Sequence, residues 1–178
     1  MKRDINSNGY IFLYSTILVV VVAVLLTTAA LWLQPYQQRN KENEKRLMIL
    51  SAAGATNEGT ITFVDDELPV YLVNDTVTVI PMRGNGLWGP IWGYLAIAPD
   101  GKTVIGANFD HKSETPGLGG EITTEKFQSQ FSGKQIMDNG NWVPIEFDAI
   151  TGATKTSNGV KEMMDKTIKQ YQPYFEKQ

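Results

Sequence analysis

Cysteine is absent from all 178 residues, and histidine occurs once, as His111. Without thiols the chain forms no disulfide, builds no zinc–thiolate or iron–sulfur centre of its own, and has no sulfur nucleophile. A single imidazole excludes any site that needs two histidines. Charge of one sign is also missing. Sixteen Lys+Arg stand against 19 Asp+Glu, a net charge of −3 with no basic block, so the chain lacks the electrostatic footprint of a nucleic-acid binder. What remains is 42% apolar. That is enough for a core, in a length that suits about one domain.

The apolar residues are not spread evenly. Residues 11–33 (IFLYSTILVVVVAVLLTTAALWL) carry no charge. A membrane-spanning helix needs about 20 such residues, and it satisfies its own backbone groups as lipid demands. Tyr10, Tyr14, Trp32 and Tyr36 lie near the ends, where amphipathic rings prefer the interface. The run is longer than a typical signal-peptide core, and no clear A-x-A cleavage site follows it. A retained anchor is therefore expected. Its orientation is open on charge alone: Lys2 and Arg3 precede it, whereas Arg39, Lys41, Lys45 and Arg46 follow. Long domains, however, translocate largely regardless of such counts. Residues 1–10 form a short tail, 11–33 the span, 34–59 a polar stalk and linker, and 60–178 a separate domain. Residues 36–50 read as helix or as a solvated charged linker, and 51–59 as a loop.

From residue 60 the pattern turns to β. Residues 61–64, 70–73 and 77–80 are short, β-branched runs. Residues 92–98 and 103–109 flank Pro99-Asp100-Gly101, which is turn chemistry, so they form a hairpin. Residues 124–131 suit a short helix with Phe127 and Phe131 on one face, and 142–147 another strand. In residues 158–171 the apolar positions Val160, Met163, Met164, Ile168 and Tyr171 mark one helical face, with Ser157 or Asn158 as N-cap. The expected fold class is α+β: a mostly antiparallel sheet with a packed C-terminal helix, preceded by one N-terminal transmembrane helix.

Three stretches have the chemistry of a site. Residues 148–157 (DAITGATKTS) follow a strand and open a helix. Small residues permit close backbone approach, and a helix N-terminus favours an anion. An ordinary capped helix start has the same composition. Residues 109–121 (FDHKSETPGLGGE) make a rigid glycine-rich loop. It is not a P-loop, since the Gly-Lys-Ser/Thr ending is missing, nor a dinucleotide fingerprint. It also reads as a plain surface loop in which His111 is a hydrogen-bonded turn residue. Residues 81–94 (PMRGNGLWGPIWGY) alternate aromatics and glycines, a pattern that walls a flat ring or packs a core beside a turn.

Together, in this order behind one span, MRGNGLWGPIWGY, GANFDHKSETPGLGGEI and DAITGATKTSNGV resemble the C subunit of the sodium-translocating NADH:quinone reductase of bacteria, over essentially the whole chain. The resemblance is weakest across residues 54–64, where the family carries a longer segment. It implies FMN held covalently, with its phosphate esterified to the last threonine of the S/T-G-A-T motif, here Thr154. Thr151 stands where serine is more frequent, followed by Gly152 and Ala153. A separate magnesium-dependent flavin transferase takes FMN from FAD and attaches it. The resemblance further implies flavin contacts from Glu114, Thr115, Gly117, Leu118 and Gly119, a wall from Leu87 and Trp88, and support of the modified loop by Asp148; the hydroxyls of Thr151, Thr154, Thr156 and Ser157 can by themselves add hydrogen bonds to a phosphate. Trp92 and Tyr94 are read as core. No residue is assigned a catalytic role and no metal site is expected.

The implied function is electron transfer within a membrane sodium-pumping NADH:quinone oxidoreductase, a role of a non-autonomous enzyme subunit. Electrons pass from an iron–sulfur centre to the flavin of a neighbouring subunit. The implied location is the bacterial inner membrane, with residues 1–10 cytoplasmic and the FMN-binding domain of residues 60–178 periplasmic. The alternatives are the G subunit of an Rnf-type electron-transport complex, which shares the flavin motif, and a membrane-anchored periplasmic binding or assembly module without a redox role.

Overall fold

The computed structural model describes residues 8–56, 58–65, 68–138 and 141–176. The chain divides into two compact units, Met1–Glu44 and Lys45–Gln178. Helix α1, Asn8–Ala52, runs for 45 residues and contains Pro35. It is long and apolar enough to cross a membrane. Within the first unit the hydroxyls of Ser15, Thr16 and Thr28 each donate to the carbonyl four residues earlier, at 2.7–2.9 Å. These hydroxyls of the apolar run are thus satisfied inside their own helix. The sequence places a loop from residue 51, but the helix continues through Ala52, because Ile49, Leu50, Ala52 and Ala53 are buried in the second unit.

The second unit is built on a five-stranded antiparallel meander: β1 (Ile61–Asp65), β2 (Val70–Val73), β3 (Val77–Asn85), β4 (Pro90–Ile97) and β5 (Val104–His111), in that spatial order. Side chains alternate between its faces, as the two-residue period requires. Ile80, Met82, Ile91, Leu95, Ile97 and Phe109 enter one core. It is closed by Val160, Met163, Met164, Ile168 and Tyr171 of the last helix, α3 (Thr154–Phe175). Tyr71, Val73, Val79, Tyr94 and Ala96 face a smaller core made with Ile49 and Leu50. The sheet is thus covered by helix on both faces, and α+β is the architecture.

The hairpin about Pro99-Asp100-Gly101 forms as read. Gly101 sits at φ 67°, and Asp100 accepts from the Lys102 and Thr103 amides, each at 2.9 Å. Residues 124–131 give helix α2 (Glu125–Gln128) and a 3₁₀ turn. Phe127 and Phe131 join Phe109 and Phe147 in a cluster of mostly edge-to-face rings with centroids 5.0–5.9 Å apart.

Two further expectations need correction. The strand expected at 142–147 is only β7 (Asn141–Trp142), paired with β6 (Met137–Asp138), and the rest is irregular. The last helix begins at Thr154, four residues before the expected start at 158, so neither Ser157 nor Asn158 is its N-cap; Ala153 holds that place without a side-chain cap.

Candidate functional site

The three stretches converge around one buried carboxylate. β3 and β4 extend through the first of them, and their connection, residues 86–89, presents Leu87 and Trp88 to solvent at 45% and 66% exposure. Beneath lies Glu114, only 4% exposed. Its Oε1 accepts from the Trp88 amide at 2.7 Å and its Oε2 from the Thr156 hydroxyl at 2.6 Å. The amides of Leu87 and Gly89 also donate to it. Burial pushes this carboxyl up, but the Thr156 hydroxyl and the three amides outweigh that and hold it below the ordinary carboxylate range. The Glu114 amide in turn donates to His111 Nδ1 at 3.2 Å, so His111 is a hydrogen-bonded turn residue.

Two glycines make this arrangement possible. A Cβ at Gly86 would lie 2.6 Å from Glu114 Oε1, and one at Gly119 would collide with both the Glu114 carboxylate and Thr156 Oγ1. The loop closes on itself where the Leu118 and Gly120 amides donate to the Thr115 carbonyl at 3.1 and 2.9 Å, with Gly117 at φ 74°. Thr115 and Gly117 are exposed, and Leu118 is 42% exposed. Leu118 reaches the third stretch: its Cδ2 lies 3.0 Å from where a Cβ at Gly152 would stand.

Gly152, at φ 80°, turns the chain into α3. Thr154 is the first residue of that helix and is exposed, as are Thr151 and Gly152, whereas Ala153 and Thr156 are buried. First-turn amides have no acceptor within their own helix, and α3 has no acidic residue in its first turn. The end therefore keeps its positive character beside the Thr154 hydroxyl. Ser157 bridges the turn, accepting from the Ile150 amide at 3.0 Å and donating to the Ala153 carbonyl at 3.1 Å.

Asp148 lies in the loop before α3, and its backbone is gripped by a side chain from α2's neighbourhood. Gln130 accepts from the Asp148 amide at 2.7 Å and donates to its carbonyl at 3.4 Å. A cleft of about 540 Å³ adjoins this contact, lined by Glu121, Thr124, Lys126, Phe127, Asp148 and Thr151 among others. Sequence reasoning missed Gln130, Gly86 and the bridging role of Ser157. A lone Gln 18 residues from its partner leaves no pattern to read.

The residues fit a flavin phosphate ester. Leu87, Trp88 and Leu118 are apolar and open, Thr154 is open at a helix N-terminus, and the frame beneath them is tied by hydrogen bonds. Among the described residues no buried side-chain N or O lacks a partner.

Comparison with known proteins supports FMN as the group bound in this region. Residues 86–169 match the family described as FMN-binding domain. The C subunit of the Na(+)-translocating NADH-quinone reductase from Pasteurella multocida is 44% identical over 108 residues, 51% of this chain and 42% of that protein. The Haemophilus ducreyi protein of the same name is 28% identical over 81% of this chain and 83% of its own length. The match thus spans about two fifths of the Pasteurella protein and most of the Haemophilus one. The crystal structure of the Parabacteroides distasonis C subunit superposes with a TM-score of 0.71 at 28% identity, covering 80% of this chain and 96% of that one. Residues 86–169 match the FMN-binding domain family, and the chain that carries them is similar to the C subunit of the Na(+)-translocating NADH-quinone reductase.

Proposed function

We propose that this chain is the electron-carrying subunit of a membrane sodium-pumping NADH:quinone reductase, with FMN joined through its phosphate to Thr154. One observation carries the reading. Within the FMN-binding match, an exposed threonine opens α3 beside an exposed apolar surface of Leu87, Trp88 and Leu118. When bound, the flavin supplies one-electron transfer, chemistry that no side chain here offers.

The chain's own part is to hold and orient. Gly152, in the left-handed region, swings Thr154 outward where a transferase reaches it. In attachment the Thr154 oxygen gives up its proton and bonds to the FMN phosphorus of FAD, and AMP leaves. The positive helix end favours the resulting negative phosphodiester. Leu87, Trp88 and Leu118 would offer a bound ring system an apolar wall. Thr151 and Thr115 offer hydroxyls at the rim, Asp148 lies in the loop leading to the ester, and Gly117 and Gly119 let the loop pass close. A covalent link retains the cofactor on a domain placed in the periplasm, tethered by residues 11–33 with residues 1–10 in the cytoplasm. Partners are an iron–sulfur donor and a flavin-bearing acceptor subunit.

The test is the mass of the proteolytic peptide containing Thr154, from the full chain made together with a flavin transferase. The expected gain is one FMN less one water, abolished in Thr154→Ala. An unmodified peptide, in a host where a control flavoprotein is modified, would overturn the reading in favour of a membrane-anchored binding module.

A further inference from the structure

Both oxygens of Glu114 are taken by protein donors: Oε2 by the Thr156 hydroxyl, Oε1 by the Trp88 amide, with the Leu87 and Gly89 amides also donating. The sequence resemblance makes this residue a flavin contact. The geometry gives it a different task. We propose that Glu114 is a positioning residue, a buried clamp that fixes the Leu87–Trp88 wall to the first turn of the helix bearing Thr154, and that places its charge beneath the site.

Three observations point the same way. The carboxylate joins two segments 26 and 42 residues away in the chain, the tip of the β3–β4 hairpin and Thr156, two residues past Thr154. The glycines at 86 and 119 leave space that the carboxylate fills, since a Cβ at either position would overlap it. The clamp is also anchored from behind, through the Glu114 amide on His111 Nδ1. A single acceptor that gathers several converging donors is hard to replace: a neutral amide offers one oxygen and must turn its NH₂ toward another acceptor. In Glu114→Gln the oxygen can serve the hairpin amides while the NH₂ donates to Thr156 Oγ1. The shape survives and the charge does not.

The proposal rests on the flavin reading for its purpose, though not for its first test. Amide hydrogen exchange of residues 87–89 is measured in the full chain without flavin, made in the absence of a transferase. In Glu114→Ala these amides should exchange at least tenfold faster, while the α3 amides from Val160 to Ile168 keep wild-type protection and report that the domain is folded. Thr156→Val should loosen the first turn of α3, and Thr156→Ser should restore it. Unchanged exchange at 87–89 in Glu114→Ala with a folded α3 overturns the clamp.

The second test uses the flavin-loaded chain. Spectroelectrochemical titration should give Glu114→Gln a more positive flavin midpoint potential than wild type, because removing a nearby negative charge eases uptake of an electron. Thr156→Ser should leave the potential in place. An unshifted potential in Glu114→Gln overturns the placement of the charge beneath the site. An unmodified Thr154 peptide in the wild type would instead strike the flavin reading, and the exchange measurement would still decide the clamp.

Discussion

Gly119 has no side chain because two others already occupy its space. A methyl there would overlap the Glu114 carboxylate and stand 2.6 Å from Thr156 Oγ1. Neither can retreat without giving up its hydrogen bond, so Gly119→Ala should cost about 1–3 kcal/mol, read as a lower urea midpoint with unchanged slope. The same carboxylate shapes the acid limb of stability. Glu114 lies below its ordinary 4.5 and Asp100 below 3.8, the latter chiefly through the Thr103 hydroxyl. Each folded pKa is depressed, so the stability is fully present above those ordinary values and is lost as pH falls through the folded ones. Urea melts from about pH 6 down to about pH 2 should show a decline, with a shallower slope in Glu114→Gln. At the alkaline end, burial first and the neighbouring Tyr71 second push Tyr94 up to about 12, against a smaller pull from Arg83. A raised tyrosine pKa means that the unfolded chain gives up this proton before the folded one, so this contribution is fully present below pH 10 and is lost as pH rises through about 12. Burial of the phenol therefore opposes ionisation up to about 12, where the fold must give way or accept a buried charge. Thr154 and Glu114 stand out in the sequence because they sit in long, specific stretches. The inward aim of Glu114 was not, since composition says nothing of which way a carboxylate points.

At the scale of elements, the last helix shows how far a hydrophobic period carries. Val160, Met163, Met164, Ile168 and Tyr171 mark its buried face, and all five are buried. Its start lies earlier than the period indicates because Thr154, Lys155, Thr156 and Ser157 form a polar first turn with no apolar repeat. Buried Thr156 and Ser157 are polar core there, held by Glu114 and by the Ile150 and Ala153 backbone. The corrected boundary has a consequence. Asn158→Ala, exposed and inside the helix, should change stability by no more than about 0.5 kcal/mol, where an N-cap would lose about 1 kcal/mol. Ser157→Ala should be the costlier change in the same urea melts. The helix crosses β3 at Gly84 and Gly159. A Cβ at Gly159 would collide with the Asn85 carbonyl, and one at Gly84 would stand 2.7 Å from the Met163 Cβ. The carbonyl is backbone of β3 and cannot turn aside as a side chain can. Gly159→Ala should therefore be the more destabilising of the two, by about 1–3 kcal/mol. The stretch of aromatics and glycines is the hairpin β3–β4, only half visible in the sequence because Gly and Pro conceal strand pairing.

For the whole molecule, the decisive matter is on which side of a membrane the second unit lies. Residues 11–33 would measure about 34 Å as a helix, enough for a hydrocarbon core, and none of the most apolar 18 residues is buried. Counting basic residues argues for one orientation, and the proposed periplasmic flavin domain requires the other. Charge near a span governs short loops more than long domains, so the second argument is the stronger. The absence of cysteine makes it directly testable, since an introduced thiol is the only one present. Ser132→Cys places it on an exposed surface of the second unit, and Lys2→Cys in the N-terminal tail. With a membrane-impermeant maleimide on intact spheroplasts, Ser132→Cys should label before lysis and Lys2→Cys only after it. The reverse pattern would put Thr154 in the cytoplasm. The retention argument for a covalent link would then fail, because a freely replenished pool of FMN makes esterification unnecessary. Agreement of the labelling with a modified Thr154 peptide would tie the chemistry of one residue to the topology of the whole chain.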